Sequence, residues 1–439
     1  MARILVTCLG SLGDLYPYLA VGRGLQERGH SVHVATSGIH EPRVTTAGLG
    51  FVPLRSALDR YLTAQGASGF IEKIFEPRSG AQRLIREVMS GFEQTCADTL
   101  AAAAGCDLAL SHPLTYATPI ACRKLDKTWL STVLAPMGFM SSFDPPFLSA
   151  APLLQTLHGI SPALFRGAMV LAKFGSRAMV RPVYQQCRQL GIAAPPDNPL
   201  FDGQFSPHGT LAMFPEHFAA PQPDWPPHTI TTGFTFYRQG NTDAQAASRL
   251  ETFLAAGEAP LVFALGSSVV EIAQDFFPVA ARVARQLQQR AVLVAGSRAT
   301  QLADLAGDPS LLVLDYVNYD ALFPRASLIV HQGGIGTTAQ AARSGRPMLI
   351  VPFGFDQFDN AEHMVRLGAA RRLRREDFTA ERVAPVIAGM LGDIELARGA
   401  AVAGKRLAAQ DGVAGACDVI EACIAKRAAK VSGRDLSVW

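Results

Sequence analysis

Short apolar runs alternate with segments of helical period from the start of the chain. Residues 4–8 are apolar and β-branched, residues 17–28 repeat apolar side chains at helical spacing, and residues 31–36 again have the length and composition of a strand. Residues 107–111 and 129–134 are two further apolar runs of this kind. The alternation predicts a first α/β domain built on a parallel sheet.

The same alternation restarts in the second half of the chain. An Ala-rich helical pattern fills residues 378–429, and the strand-length runs before it occupy residues 260–265, 291–295, 311–314, 327–330 and 348–351. Between the halves, residues 215–227 contain five prolines, a density that excludes a helix or a central strand. We therefore predict two doubly wound α/β domains: a first domain over residues 1–214, a proline-rich linker over 215–240 and a second domain over 241–439.

Composition narrows the class of protein. Of the 439 residues, 49% are apolar and 18% are charged, as in a globular enzyme and unlike a disordered chain. Forty basic and 37 acidic residues give a net charge of +3, too small for a dedicated nucleic-acid binder. Seven cysteines without a C-x-x-C pair exclude a disulfide framework and a thiolate zinc site of the usual spacing. With no signal peptide or membrane-spanning run in the sequence, we expect a cytoplasmic protein and leave peripheral membrane contact open.

A glycine-rich turn follows the predicted strand at 327–330. Residues 331–338 read HQGGIGTT and open a predicted helix. Glycines let the backbone approach a ligand closely, and the free N–H groups and dipole of a helix start attract phosphate. His331 adds a hydrogen bond or a charge to the same place. The alternative is a strand-to-helix turn that binds nothing.

A second polar loop comes after the predicted strand at 348–351. Asp356 and Gln357 stand side by side there, and together they offer acceptors and a donor group of the kind that recognises a polyol such as a sugar. The alternative is a helix N-terminus capped by Asp356 or Asp359. Both loops belong at the carboxyl edge of one sheet, where α/β proteins bind ligands. A phosphate site beside a polyol site predicts a sugar-nucleotide donor.

The first loop, residues 10–17, reads GSLGDLYP and is not a dinucleotide fingerprint, because its glycines are three apart. Asp14 at the loop-to-helix junction is either a helix cap or a general base that takes a proton from an acceptor hydroxyl. His112 ends a predicted strand at the same edge and is either a structural residue or an assistant to Asp14. No D-x-D pair or other common metal or nucleophile motif occurs in the sequence, so we expect no metal and no cofactor.

The three loops resemble those of the inverting GT-B glycosyltransferases, in the bacterial UGT-like branch that contains rhamnolipid rhamnosyltransferases and antibiotic and sterol glycosyltransferases. The resemblance covers essentially the whole chain. It implies two Rossmann-like domains facing across a cleft, with the donor bound mainly to the second domain and the acceptor to the first. It also implies a carboxy-terminal helix that returns to the first domain.

The resemblance assigns roles to individual residues. Asp14 is implied to be the catalytic base, as in bacterial members with a Gly-Asp pair in this loop. Plant relatives place a histidine in the loop, and the absence of His between residues 9 and 29 excludes that variant. Asp356 and Gln357 would hold the sugar hydroxyls. The residues implied to hold the diphosphate and base of the donor are Ser267, Ser268, Tyr316, Val317, His331, Gly333, Gly334, Gly336, Thr337 and Thr338.

The expected activity is metal-independent, inverting transfer of a hexose, L-rhamnose or glucose, from a dTDP- or UDP-sugar. The expected acceptor is a hydroxyl of a small lipophilic molecule such as a natural product, flavonoid, sterol or hydroxy-lipid. Met137, Phe139 and Phe143 are candidates for acceptor contact, with packing in the core as the alternative reading. Two other functions stay open: a GT-B sugar-nucleotide 2-epimerase, and a non-catalytic protein that binds a sugar nucleotide beside a partner enzyme. Oligomeric state is not predicted.

Overall fold

The computed structural model describes residues 1–63, 68–76, 79–148, 151, 154, 161–238, 244–305 and 307–431. By contacts between Cα atoms the chain divides into two units. The first unit comprises Met1–Gly10, Asp14–Tyr237 and Asp411–Trp439, and the second unit comprises Ser11–Gly13 and Arg238–Gln410. The predicted boundary at 240/241 lies outside the described residues.

A parallel sheet forms the centre of the first unit. Among the described residues it has seven strands in the order β3-β2-β1-β4-β5-β6-β7. The strands are β1 (Arg3–Thr7), β2 (Ser31–Thr36), β3 (Gly50–Pro53), β4 (Leu108–Ser111), β5 (Thr128–Val133), β6 (Thr210–Ala212) and β7 (Thr229–Thr231). The helices are α1 (Leu12–Glu27), α2 (Glu41–Thr46), α3 (Asp59–Thr63), α4 (Ser68–Ile74), α5 (Gly80–Ser90), α6 (Phe92–Ala103), α7 (Ala117–Lys124), α8 (Pro162–Gly175) and α9 (Arg181–Gln189).

The second unit repeats this plan. Its described strands form a six-stranded parallel sheet in the order β10-β9-β8-β11-β12-β13. The strands are β8 (Leu261–Ala264), β9 (Ala291–Val294), β10 (Leu311–Leu314), β11 (Leu328–His331), β12 (Met348–Ile350) and β13 (Ala370–Arg372). The helices are α10 (Ala244–Ala255), α11 (Phe276–Gln286), α12 (Tyr319–Leu322), α13 (Ile335–Arg343), α14 (Gln357–Arg366), α15 (Ala380–Leu391) and α16 (Ile394–Ala408).

The sequence pattern explains why these segments are central strands. All four side chains of β4, β8 and β11 are buried, as expected for parallel strands covered by helices on both faces. The strand order reverses between β1 and β4 in the first sheet and between β8 and β11 in the second. Doubly wound sheets bind ligands at such a reversal, beyond the carboxyl ends of the strands. The fold therefore places one candidate site after β1 and β4, and another after β8 and β11.

The predicted linker at 215–240 takes part in the fold. Its residues 229–231 form β7, which pairs in parallel with β6 at the edge of the first sheet, and its residues up to Tyr237 belong to the first unit. The strand escapes the proline-rich stretch because it begins two residues after Pro227. The first helix also differs from the prediction: it begins at Leu12, so Pro17 lies inside it.

A long carboxy-terminal helix, α17 (Gly412–Val431), packs on the first unit. Arg28, the residue after α1, forms ion pairs with Asp418 at 2.6 Å and with Glu421 at 2.7 Å. Farther along α17, Arg427 donates hydrogen bonds to the carbonyl oxygens of Asp107 and Asp126 at 3.0 and 2.8 Å. The chain thus returns to the first unit after completing the second. In the described part of the chain, the helices are all too short or too polar to cross a membrane.

Candidate functional site

His331 is the last residue of β11 and is completely buried. Its Nδ1 accepts a hydrogen bond from the Gly333 N–H at 3.1 Å, so the ring proton resides on Nε2. Burial lowers the pKa of His331 to about 3, which makes the ring neutral at physiological pH. Nε2 has no hydrogen-bond partner among the described residues. His331 therefore carries one uncharged N–H without a partner in the described structure, rather than the charge that the sequence analysis left as an alternative.

The backbone after His331 brings a helix start to the same place. Gly333 has a φ of +90°, and a Cβ there would lie 2.8 Å from Cγ2 of Ile350 and 2.9 Å from the carbonyl oxygen of Gln357, so the turn requires glycine. Gly334 is the N-cap residue of α13, whose first N–H groups have no helical acceptor. The buried hydroxyl of Thr338 is without a partner in the described structure. These donors are the kind that bind a phosphate.

The polar loop after β12 is organised by two amides. Oε1 of Gln357 accepts hydrogen bonds from the N–H groups of Phe353 and Gly354, at 2.8 and 3.2 Å. Nδ2 of Asn360 donates to the carbonyl oxygen of Gly333 at 2.9 Å and to Oδ2 of Asp356 at 2.7 Å. Asn360 is fully buried and ties the glycine-rich turn to the polar loop.

Asp356 occupies the N-cap position of α14, but in the described structure its carboxylate makes no capping hydrogen bond. It accepts from Asn360 instead. Phe355, just before it, has a φ of +53°, an unfavourable backbone conformation for a residue with a Cβ. The capping alternative for Asp356 is therefore wrong, and the loop holds this carboxylate in a strained turn beside the glycine-rich segment.

The remaining donor-site candidates lie at the carboxyl edge of the same sheet. Ser267 is exposed and Ser268 is half-buried after β8, the strand that pairs with β11. Tyr316 is 45% exposed and Val317 is buried, both after β10. Gln332, to which the sequence assigned no role, lies close against the loop after β8, since a Cβ on Gly266 would come within 2.5 Å of its Nε2.

Asp14 and His112 meet at the switch point of the first sheet. Nδ1 of His112 accepts from the Leu114 N–H at 3.1 Å, so its Nε2 carries the proton and faces Oδ1 of Asp14 at 3.3 Å. His112 is buried, with Tyr18 edge-on to its ring, whereas the Asp14 side chain is 33% exposed. Asp14 is the third residue of α1 rather than its cap. The arrangement is a partly exposed carboxylate, oriented by the N–H of a buried histidine.

The three candidates for acceptor contact differ in how deeply their side chains are buried. Phe139 is buried and stacks on Trp225 with ring centroids 4.2 Å apart, so it packs in the core of the first unit. Met137 is half-buried, and Phe143 is 45% exposed with the Arg166 guanidinium 5.5 Å from its ring centroid. Only Met137 and Phe143 of the three therefore have surface to offer a ligand.

Comparison with known proteins identifies the family. Residues 4–119 match the model of the glycosyltransferase family 28 N-terminal domain, and residues 287–423 match that of the erythromycin biosynthesis protein CIII-like C-terminal domain. The O-mycaminosyltylonolide 6-deoxyallosyltransferase of Streptomyces fradiae is 29% identical, over 95% of this chain and 97% of its own. A sterol 3-beta-glucosyltransferase of Arabidopsis thaliana is 25% identical over 94% of this chain, which spans 64% of that longer protein.

Solved structures share the architecture. The glycosyltransferase of kitacinnamycin superposes with a TM-score of 0.69 at 23% identity, covering 96% of this chain and 99% of its own. The glycosyltransferase VinC, solved in complex with dTDP, superposes with a TM-score of 0.67 at 20% identity, covering 97% of this chain and all of its own. Together with the family models and relatives, these matches show that the chain is a nucleotide-sugar-dependent glycosyltransferase of the UGT-like branch, with two Rossmann-like domains in the GT-B architecture.

Proposed function

We propose that this glycosyltransferase moves a hexose from a dTDP- or UDP-sugar to a hydroxyl of a small lipophilic acceptor, with inversion at the anomeric carbon and without a metal. dTDP-L-rhamnose is the first choice of donor and UDP-glucose the second. The observation that carries the proposal is the set of unused donors after β11, namely the His331 Nε2–H, the Thr338 hydroxyl and the start of α13.

The donor would bind through its diphosphate at these groups. The dipole and free N–H groups of α13 favour negative charge, and neutral His331 adds a directed hydrogen bond without needing to be protonated. Asp356 and Gln357 then face the hexose, with the Gln357 amide N–H group as donor because Oε1 is engaged by the loop backbone. As the glycosidic bond breaks, charge grows on the leaving phosphate, where fixed donors stabilise it most effectively.

The acceptor hydroxyl would lose its proton to Asp14. The Nε2–H of His112 holds Oδ1 of this carboxylate, which makes His112 a positioning residue for the base. Attack from the face opposite the diphosphate would invert the anomeric configuration.

Three similar proteins support the choice of substrates. The structure of VinC was solved with dTDP, which supports a thymidine donor here. The names of the Streptomyces and Arabidopsis relatives describe transfer to O-mycaminosyltylonolide and to a sterol, which supports a lipophilic acceptor here. The partly exposed apolar side chains of Met137 and Phe143 are consistent with an acceptor of this class.

The test begins with thermal shift of the purified full chain in dTDP, UDP and GDP. A ligand at about one hundred times its Kd stabilises the native state by about 2.7 kcal/mol, an easily measured shift. Turnover of dTDP-L-rhamnose and UDP-glucose then follows with and without macrolide, flavonoid and sterol acceptors, and NMR of the product gives its anomeric configuration. A changed sugar nucleotide formed without acceptor would indicate an epimerase instead.

Variants separate the base from the donor site. Asp14→Asn is expected to bind nucleotide normally and to lose turnover, while Asp304→Asn, a change at an exposed carboxylate, is the matched control. Near-normal turnover by Asp14→Asn would reject the base assignment. No stabilisation by any nucleotide would reject the donor site.

A further inference from the structure

Helix α8 exposes an apolar face. Phe165 and Met169 are buried and anchor the helix to the first unit. On the other side, the large apolar side chains that define the α8 face are exposed by 46–73%: Leu164, Val170, Leu171 and Phe174. At 100° per residue these four fall within an arc of about 120° around the helix, turned away from the two anchors. Clustered apolar side chains on one surface mark an interaction site.

Basic residues border this face. At helical spacing Arg166 and Lys173 fall on a strip between the anchors and the α8 face, and Arg177 follows two residues after the end of the helix. From residue 145 to residue 196 the sequence contains five basic residues and no Asp or Glu. This span therefore carries +5 in a chain whose net charge is +3, which leaves −2 for everything else. Lys173 is paired with Asp202, while Arg166 and Arg177 are exposed.

We propose that the α8 face docks on the surface of an anionic lipid bilayer. A helix lying in the membrane interface buries an apolar side among the acyl chains and extends Lys and Arg to the headgroups, which is the division that α8 displays. Its 14 residues span about 21 Å, too short to cross a hydrocarbon core of about 30 Å, so it would lie along the surface.

Charge argues for a bilayer rather than a second copy of the chain. A two-fold contact through this face would set the same basic span against itself, and that span holds no carboxylate to offset the repulsion. An anionic bilayer instead supplies negative headgroups beside an apolar phase. The inference goes beyond the proposed function and depends on neither the donor nor the acceptor.

Vesicle flotation tests the proposal with the full chain. We expect co-flotation with vesicles of 70% phosphatidylcholine and 30% phosphatidylglycerol, and little with phosphatidylcholine alone. Replacing both Arg166 and Arg177 with Gln should weaken vesicle binding by about 25-fold, because each basic residue near an anionic surface strengthens binding by about fivefold. Replacing Leu171 and Phe174 with Ser should abolish it. Ile394→Ser, at a side chain that is 80% exposed on α16, and Arg406→Gln are the matched controls and should bind as the parent does.

Two results would overturn the proposal. One is absence of flotation with the anionic vesicles; the other is an equal loss of binding in the control variants. The competing explanation is that the α8 face is a contact between two copies of the chain, and light scattering after size exclusion tests it. In that case the parent protein would be a dimer that does not bind vesicles, and the changes at Leu171 and Phe174 would dissociate it. The substituted side chains are exposed, and thermal melts verify that the variants fold. Neither flotation nor light scattering requires turnover, so failure of the proposed function would leave this test intact.

Discussion

Two substitutions of His331 distinguish the roles of the two nitrogen atoms of its ring. Asn places an amide near the position of Nδ1 and retains an acceptor for the Gly333 N–H, but it has nothing at Nε2. Gln extends an amide toward the position of Nε2 and can donate from it. If Nε2–H binds the donor diphosphate, His331→Asn should lose nucleotide affinity, and His331→Gln should retain more of it.

The size of the effect follows from the chemistry of the bond. A hydrogen bond to a charged group contributes about 1.5–3 kcal/mol, which corresponds to a rise in Kd of about 12- to 160-fold for His331→Asn. Isothermal titration with dTDP and UDP measures the Kd, and His208→Asn, at a histidine that packs edge-on to Trp129 in the first unit, is the control. An unchanged Kd in His331→Asn would refute the role of Nε2.

The pH dependence tests the charge state independently. A neutral His331 predicts a flat Kd between about pH 7 and 8.5, where the terminal phosphate is already ionised, whereas a cation of ordinary pKa would weaken binding by about 25-fold over the same range. The stability of the folded protein, in contrast to the Kd, should depend on pH through His331. Because burial lowers the pKa of His331, its contribution to the free energy of unfolding is fully present above about pH 6.5 and is lost as the pH falls toward about 3. About 1.4 kcal/mol of this free energy is lost by about pH 5.5. Urea melts of the parent and of His331→Gln should converge as the pH falls through this window.

Three further predictions concern the loops and the metal. Asn360→Asp sets a carboxylate against Asp356 and the Gly333 carbonyl oxygen, so kcat/KM should fall by more than it does in Asn360→Ala. In Asn360→Ala the loss of about 1.5 kcal/mol of hydrogen bonding predicts a decrease of about tenfold. Steady-state kinetics of both variants measure this, and a larger decrease in Asn360→Ala would contradict it. Gly10 has a φ of +135°, and a Cβ there would lie 2.4 Å from Oδ2 of Asp14. Gly10→Ala should therefore displace this carboxylate and reduce kcat at least tenfold, while calorimetry finds a normal affinity for nucleotide. A weakened affinity would count against a role of Gly10 that is confined to the base. Chelation with EDTA should leave turnover unchanged, and activity restored only by added Mg²⁺ would reject the metal-independent proposal.

Much of the fold could be predicted from the sequence because central parallel strands are continuous apolar runs. The runs at 291–295 and 348–351 match β9 and β12 to within a residue. The edge strands β3, β7 and β13 were not predicted, and β7 shows a physical reason. It is only three residues long, with one side chain exposed and two partly exposed, so it lacks the apolar signal of a buried strand. Packing of α17 on the first unit was expected from the family resemblance alone, since its contacts join residues almost four hundred positions apart.

In the site too, some features could be predicted from the sequence and others could not. The motif at 331–338 could be located from its glycines, but the protonation of His331 depends on complete burial and on the Gly333 N–H, which no local pattern reveals. The contact between Asn360 and Asp356 had a usable signal, because residues four apart on a helix are neighbours. The bond from Asn360 to Gly333 had none, since it joins residues 27 positions apart across two loops.

These internal bonds bear on how the enzyme would stabilise charge. Fixed donors contribute most to catalysis when they need not reorient as the leaving group becomes negative. Here Asn360 fixes the glycine-rich turn through the Gly333 carbonyl, and the Gly333 N–H in turn fixes the ring of His331. Each is a buried polar group whose hydrogen bond holds the next one in place, so the donor atom of His331 is oriented before any nucleotide binds. A loop held by water instead would have to lose that water and reorganise at the moment of reaction.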